Sequence, residues 1–219
     1  MRQRNIKNLE EKIEKNSTYR IASPGEWRGR WNEAFRREAP LFLEIGCGKG
    51  KFLMEMAERN PGFNFIGIEG QGNVILRALE KAEELGQENL RLFQAYVHDL
   101  GDYFEKDELD GIYLNFSDPW PKARHAKRRL TYRNRLANYF SLLKEDGFVE
   151  FKTDNDALFA FTLEEMEEAG LTAEELTRDL HGENSIFASR LVMTEYEERF
   201  CGRGKNINYV KMKKKNSLR

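Results

Sequence analysis

Short apolar runs alternate with stretches of helical periodicity along most of the chain. The pattern predicts six strands, over residues 41–45, 63–68, 90–93, 111–116, 147–154 and 207–213. It predicts helices over residues 8–15, 51–59, 73–85, 132–143, 157–169 and 194–200. Strands that alternate with helices are typical of α/β proteins with a parallel sheet, and we expect the last strand to be antiparallel.

The first strand leads directly into a glycine-rich turn. Glycines at positions 46, 48 and 50 follow the apolar run, and the next helix is predicted to begin at once. Glycine tolerates positive φ and the close approach of a ligand, so such a turn presents backbone N–H groups to a bound molecule. The second strand ends on Glu69, about 19 residues after Gly50, where nucleotide-binding folds place a carboxylate for the ribose hydroxyls.

The spacing of the turn favours a cationic nucleoside over a dinucleotide. The dinucleotide fingerprint is G-x-G-x-x-G, whereas this chain has G-x-G-x-G, with Glu44 two residues before Gly46. A carboxylate there would repel a pyrophosphate but would attract the sulfonium and ammonium groups of S-adenosylmethionine. The pattern E-x-G-x-G-x-G resembles the first motif of the Rossmann-like methyltransferases. On the turn alone, adenosylmethionine, another nucleotide and a purely structural turn all stay open.

Further acids follow the ends of later strands. Asp118 follows the fourth strand and Asp154 ends the fifth. Because ligands bind beyond the carboxyl ends of parallel strands, both are expected at the same edge of the sheet as Glu69. Structural roles stay open too: Glu44 could cap the glycine turn, Glu69 could form a surface pair, Asp118 could start a turn, Asp154 could cap a helix, and Thr194 with Glu197 fits a capping box.

Composition narrows the class of protein. A chain of 219 residues with two cysteines, Cys47 and Cys201, that lack zinc-ligand spacing favours one large domain in a reducing cytoplasm, without a structural metal. No apolar run is long enough to predict a membrane span. The net charge is −1, but residues 122–129 hold five Lys or Arg and the tail 211–219 holds five more. Basic patches on a nearly neutral chain are compatible with docking of nucleic acid, although they could also merely solvate a surface.

The stretch NFSDPWPKARHAKRRL, with LEIGCGKG, IGIE, FKTD and MTEYEERF, resembles the bacterial tRNA (guanine-N7-)-methyltransferases. These enzymes methylate guanine 46 in the variable loop of tRNA. The resemblance implies a Rossmann-like class I methyltransferase fold, with a mostly parallel seven-stranded sheet, helices on both faces and an antiparallel last strand. It places the methyltransferase domain at residues 41–219 and leaves residues 1–40 as an extension, expected to be partly mobile and a candidate RNA contact.

The resemblance also implies roles for individual residues. Glu44, Gly46, Gly48, Gly50, Glu69 and Asp118 would bind S-adenosylmethionine, and Asp118 would also be catalytic. Lys122, Asp154, Thr194, Glu195, Tyr196 and Glu197 would contact the guanine, and Arg124, His125, Ala126, Lys127, Arg128 and Arg129 would contact the tRNA. Tyr96 stands where family members commonly have Asp or Asn near the adenine; the adenine contact is lost, replaced by stacking on Tyr96, or supplied by Asp99.

The chemistry of guanine defines the expected mechanism. Guanine N7 has a lone pair and no proton, so methyl transfer requires no general base, and positioning should account for most of the catalysis. Asp118 is therefore expected to orient the base and to stabilise the positive charge that develops on the purine. The protein is expected to be a monomer or homodimer. Two alternatives remain: a methyltransferase of another RNA, and an RNA-binding Rossmann-like protein that does not bind the cofactor.

Overall fold

The computed structural model describes residues 6–182, 191–201 and 204–215; the end of the basic tail, residues 216–219, lies outside this range. The strands are β1 (Leu41–Ile45), β2 (Asn64–Glu69), β3 (Leu90–Gln94), β4 (Leu109–Asn115), β5 (Leu143–Thr153), β6 (Leu171–Thr177) and β7 (Asn208–Lys214). The α-helices are α1 (Leu9–Lys15), α2 (Trp31–Phe35), α3 (Lys51–Arg59), α4 (Gly72–Leu85), α5 (Arg133–Leu142), α6 (Asp156–Glu168) and α7 (Glu195–Cys201). Short 3-10 helices span Pro24–Trp27, Leu100–Asp102 and Ala123–Arg128.

The strands form a seven-stranded sheet in the order β3-β2-β1-β4-β5-β7-β6. The pairs β1–β2, β2–β3 and β4–β5 are parallel, whereas β7 runs antiparallel to both β5 and β6. The expected mostly parallel sheet with an antiparallel last strand is confirmed. The chain divides into two compact units, Met1–Glu105 and Lys106–Arg219, called here the N-terminal and C-terminal units.

In the N-terminal unit, the polar segment before β1 packs on β3. The backbone of Leu92 donates to Tyr19 O and accepts from Ile21 N, each at 2.8 Å. Trp31 is 1% exposed, stacks on Phe93, and donates its indole N–H to a backbone carbonyl at 2.9 Å. Trp31 thus anchors this segment to the N-terminal unit. The boundary at residue 40 and an RNA contact by residues 1–40 stay predictions.

In the C-terminal unit, α5 and α6 are joined by a charged clamp. Glu165 accepts both Nε and Nη2 of Arg133 at 2.8 Å, and also the Arg133 backbone N–H at 2.7 Å. The hydrogen bonds and charge of Arg133 hold the pKa of Glu165 below its usual range. Because α5 begins a few residues after the basic stretch, the clamp fixes where that stretch ends.

The pattern of residues did not predict β6. Its sequence LTAEELT alternates between half-buried and exposed positions and contains no fully buried residue. Strands with one weakly buried face and several charges carry little hydrophobic signal. Pairing with β7 supplies its hydrogen bonds, and that pairing depends on the tertiary fold.

Candidate functional site

The glycine turn has the backbone conformation that its sequence requires. Gly46, Gly48 and Gly50 have φ values of 78°, 58° and 80°, in the left-handed region. The N–H groups of Gly46 and Cys47 donate to Ile68 O at 2.7 and 3.0 Å, which ties the turn to the end of β2. A Cβ at Gly46 or Gly48 would meet no atom within 4 Å. This side of the turn therefore has room for a ligand to approach the backbone.

Glu69 organises the same turn. Its Oε2 accepts the N–H of Gly48 at 3.1 Å, and its Oε1 accepts the N–H of Gln71 at 2.8 Å, next to the start of α4. A carboxylate has about four acceptor positions, so these two bonds leave capacity for hydroxyl donors. The carboxylate is held in place before any ligand binds.

The turn lies in a negative electrostatic environment. Glu44 is 2% exposed at the end of β1, close to the buried thiol of Cys47. Burial raises the pKa of Cys47 well above its usual value, and the charges of Glu44 and Glu69 raise it further. Two carboxylates that disfavour a thiolate would likewise disfavour a phosphate and favour a cation. The residues present fit the sulfonium and ammonium groups of adenosylmethionine.

Tyr96 lies against the turn that follows β2. Its side chain is 70% exposed, and a Cβ at Gly70 would clash with the Tyr96 ring. Asp99, the other candidate for the adenine contact, accepts the N–H of Gly101 at 2.7 Å as the cap of a 3-10 helix. Of the two side chains, Tyr96 offers the broad aromatic face that stacking requires.

In the C-terminal unit, Asp118 lies on a strained loop. Phe116 and Trp120 have φ values of 51° and 40°, although neither is glycine. The loop is tied to β5 where it leaves β4, since Phe116 donates its N–H to Lys152 O at 2.9 Å. Asp118 is exposed at the middle of the loop.

The basic stretch folds back onto this loop as a 3-10 helix. Arg128 places its guanidinium 4.9 Å from the Trp120 ring centroid, and His125 contacts the same ring edge-on at 5.6 Å. Arg129 instead donates to the carbonyls of the loop. Among the predicted RNA contacts and their neighbour, Lys122, Arg124, Lys127 and Arg128 are exposed, whereas His125, Ala126 and Arg129 are half-buried.

Asp154 is engaged by two side chains of the C-terminal unit. Its Oδ2 accepts Tyr196 OH at 3.1 Å and Lys205 Nζ at 2.7 Å. The following helix is capped by Asn155, whose Oδ1 accepts the N–H of Leu158 at 2.8 Å. Asp154 therefore does not have the capping role left open above. Tyr196 also contacts Phe116, with ring centroids 4.8 Å apart.

The capping box at the start of α7 is confirmed. Thr194 Oγ1 accepts the N–H of Glu197, and Glu197 Oε2 accepts the N–H of Thr194, both at 3.0 Å. Glu197 is fully buried and also binds Lys152 Nζ at 3.2 Å and His181 Nε2 at 2.7 Å. Burial by itself would raise the pKa of Glu197, but His181, Lys152 and the Thr194 N–H together lower it. Glu195, the first residue of α7, is exposed.

Sequence reasoning gave no role to Lys152 or Lys205. Lys152 is 1% exposed and donates to Val192 O at 2.7 Å as well as to Glu197. A lysine inside an apolar strand is a signal in itself, because lysine is rarely buried without a partner. Lys205 stands in a polar segment without such a signal.

The fold is that of the Rossmann-like class I methyltransferases. The chain is similar to a solved antibiotic-related methyltransferase, with a TM-score of 0.59 and 16% identity over 84% of this chain and 92% of the other. It is also similar to phosphoethanolamine N-methyltransferase 2 of Haemonchus contortus in complex with S-adenosyl-L-methionine, with a TM-score of 0.52 and 14% identity over 86% and 54% of the two chains. Identities this low support the fold alone.

Similarity of sequence is much closer to one group of curated enzymes. Residues 38–210 match the family described as putative methyltransferase. The tRNA (guanine-N(7)-)-methyltransferase of Bacillus cytotoxicus is 47% identical over 203 residues, which cover 93% of this chain and 92% of the relative. The chain belongs to the tRNA (guanine-N7-)-methyltransferase family.

Two further observations bear on partners. Among the described residues, no helix is both long and apolar enough to cross a membrane. Over the same part of the chain, no group of three or more His, Cys, Asp or Glu side chains has the arrangement of a metal site. Oligomeric state and cytoplasmic location stay predictions.

Proposed function

We propose that this protein transfers a methyl group from S-adenosylmethionine to N7 of a guanine in tRNA, at position 46 of the variable loop. The observation that carries the proposal is the similarity, over nearly the whole length of both chains, to an enzyme named for this reaction. The glycine turn and its negative surroundings support the choice of cofactor.

Residues of the N-terminal unit would hold the cofactor, and the family resemblance assigns cofactor binding to Asp118 as well. Gly46, Gly48 and Gly50 allow close approach to the backbone, and Glu69 accepts ribose hydroxyls from its fixed position beside Gly48. Glu44 supplies negative charge for the cationic groups. Tyr96 stacks on the adenine with its exposed face.

When bound, adenosylmethionine supplies an electrophilic methyl group on a sulfonium. The chain's own residues would orient the guanine so that the N7 lone pair faces this methyl group. Asp118 accepts hydrogen bonds from the guanine edge, and these strengthen as the ring becomes cationic. No residue needs to remove a proton, because N7 carries none.

The remaining predicted residues recognise the RNA. Lys122, Asp154, Thr194, Glu195, Tyr196 and Glu197 form the proposed guanine site; within it, the buried Glu197 acts by holding the start of α7 in place. The aromatic pair of Phe116 and Tyr196 provides a surface on which an unstacked base can lie. Arg124, His125, Ala126, Lys127 and Arg128 form the proposed phosphate contact, which should weaken as salt rises.

The test is incubation of unmodified tRNA with labelled adenosylmethionine, followed by nucleoside analysis. We expect labelled 7-methylguanosine, and we expect its loss when guanine 46 of the same transcript is replaced by adenine. If ribosomal RNA incubated in the same way were labelled and tRNA were not, the alternative of another RNA substrate would be favoured. A well-folded sample that shows no heat of binding with adenosylmethionine would favour an RNA-binding protein without the cofactor.

A further inference from the structure

Arg129 differs from its basic neighbours in what its guanidinium contacts. Nε donates to Pro119 O and Nη2 donates to Trp120 O, both at 3.0 Å. The guanidinium carbon lies 4.2 Å from the ring centroid of Phe161, on helix α6. Two of its donors and one of its faces are thus engaged by the protein itself.

The carbonyls that Arg129 binds belong to the two residues after Asp118. Trp120 has a positive φ of 40° and Phe116, two residues before Asp118, has one of 51°. A left-handed conformation is unfavourable for a non-glycine residue, and such strain persists only where surrounding contacts enforce it. At the start of the loop, the enforcing contact is the bond from Phe116 N to Lys152 O. At its end, Arg129 bridges two consecutive carbonyls.

We propose that Arg129 is a positioning residue, which holds the Asp118 loop in its reactive conformation and does not bind RNA phosphate. The inference rests on the proposed function insofar as Asp118 acts on the guanine. On this inference, Arg129 is not among the residues of the basic stretch that contact RNA. It instead positions the Asp118 side chain.

Arg128 provides a matched comparison at the adjacent position. It is exposed, and its guanidinium lies over the Trp120 ring at 4.9 Å, so a phosphate in solvent can reach it. Both residues carry the same charge and stand at the end of the same basic stretch. They differ in geometry, so their substitutions should separate loop order from RNA affinity.

Lysine cannot reproduce the contact of Arg129. The planar guanidinium donates along two directions at once and lies flat over an aromatic ring, whereas an ammonium is a compact point charge. Arg129→Lys therefore keeps the charge that RNA would detect and removes the geometry that the loop requires. Arg129→Ala removes both.

The first measurement is hydrogen exchange of the free protein at the amides that flank the Asp118 loop, those of Phe116, His125 and Arg129, which donate to the carbonyls of Lys152, Lys122 and Ala126. We expect exchange to rise about tenfold or more in Arg129→Lys and in Arg129→Ala, and to stay unchanged in Arg128→Ala. This readout does not depend on any activity, so it decides the inference even if methyl transfer to tRNA is not observed for the natural protein.

The second measurement is tRNA affinity against salt concentration, with turnover at saturating tRNA. Arg128→Ala should weaken binding and lower the salt slope by about one, whereas Arg129→Ala should leave the slope unchanged. Arg129→Lys should lower kcat about 10- to 100-fold, as expected when a catalytic group is misplaced by about 1 Å.

The proposal would be overturned if Arg129→Lys showed the hydrogen exchange and the kcat of the natural protein. It would also be overturned if Arg129→Ala lowered the salt slope of tRNA binding by about one. If Arg129→Ala does not fold, Arg129→Lys and Phe161→Leu decide the question. Phe161→Leu keeps apolar bulk and removes the ring face, and it should raise loop exchange less than Arg129→Lys does. The proposal would also be overturned if Arg129→Lys and Phe161→Leu both exchanged at the rate of the natural protein.

Discussion

The glycine turn of the N-terminal unit and the Asp118 loop of the C-terminal unit reach positive φ by different means. Gly46, Gly48 and Gly50 do so without steric cost. Phe116 and Trp120 do so against their preference and are held by bonds to distant parts of the C-terminal unit. One element is self-sufficient, and the other depends on its surroundings.

The difference follows from what each element must present. The turn leaves its backbone open to close approach, because a Cβ at Gly46 or Gly48 would meet no atom within 4 Å. The glycine N–H groups themselves already donate within the N-terminal unit, and a side chain there would fill the open space. The loop offers side chains, Asp118 among them, so it cannot be built from glycine. The conformation of the loop is maintained by the backbone carbonyl of Lys152 and by the guanidinium of Arg129, which lie outside the loop. Substitutions that distinguish local from tertiary support test this interpretation.

The largest effect is expected from Lys152→Met. The change leaves the buried carboxylate of Glu197 without its cationic partner, and removal of one member of a buried ion pair typically costs about 3–5 kcal/mol. Urea unfolding would measure the loss in free energy of unfolding. Lys205→Met is the control, because the Lys205 side chain is 53% exposed and its pair with Asp154 should contribute less. Equal losses in the two variants would show that the buried Lys152–Glu197 pair is no costlier to break than the Lys205–Asp154 pair.

Asp118→Ala should lower single-turnover methyl transfer about 10²- to 10³-fold, the range seen when one preorganised electrostatic contact is removed. Because Asp118 is exposed on its loop, the melting temperature and tRNA affinity should change little. Asp118→Asn keeps one acceptor oxygen without the charge, so its rate of methyl transfer should lie between those of the natural protein and Asp118→Ala. Near-normal turnover in Asp118→Ala would remove this residue from the mechanism.

Gly46→Ala and Gly86→Ala form a matched pair. Both glycines have positive φ, at 78° and 68°, and an added Cβ at either would meet no atom within 4 Å. Each substitution should lower the free energy of unfolding by about 1 kcal/mol. Only Gly46→Ala should weaken adenosylmethionine binding, by tenfold or more in calorimetry. Equal affinity in both variants would mean that the turn is purely structural.

A pH-dependent effect is expected at Glu150 on β5. Burial raises its pKa to about 7, although Lys152 and Lys211 oppose the shift. A carboxyl pKa that is raised in the folded state means that the folded protein binds the proton more tightly, so stability falls as pH rises from about 4.5 through 7. Glu150→Gln should have the same free energy of unfolding as the natural protein near pH 4.5 and exceed it by about 1–2 kcal/mol at pH 8. The difference stays modest because solvent screens the charge of a partly exposed side chain. A difference between the two that does not vary with pH in urea unfolding would contradict this assignment.

Several elements could be predicted from the sequence because their causes are local. The β1–turn–α3–β2 unit follows from an apolar run, three glycines and a helical repeat, all within 29 residues, from 41 to 69. The capping box of Thr194 and Glu197 has a fixed spacing and was likewise expected. The resemblance to the methyltransferase family indicated which residues are expected to form the site.

Other features were decided only by the tertiary structure. Asp154 meets Lys205 across 51 residues, and Lys152 meets Glu197 across 45, separations for which no periodicity exists. β6 is a strand because β7 pairs with it. Arg128 and Arg129 are identical in sequence terms, yet one faces outward and the other binds the Asp118 loop. A residue's conformational preference depends on its neighbours in the chain, whereas its partners depend on how distant segments pack.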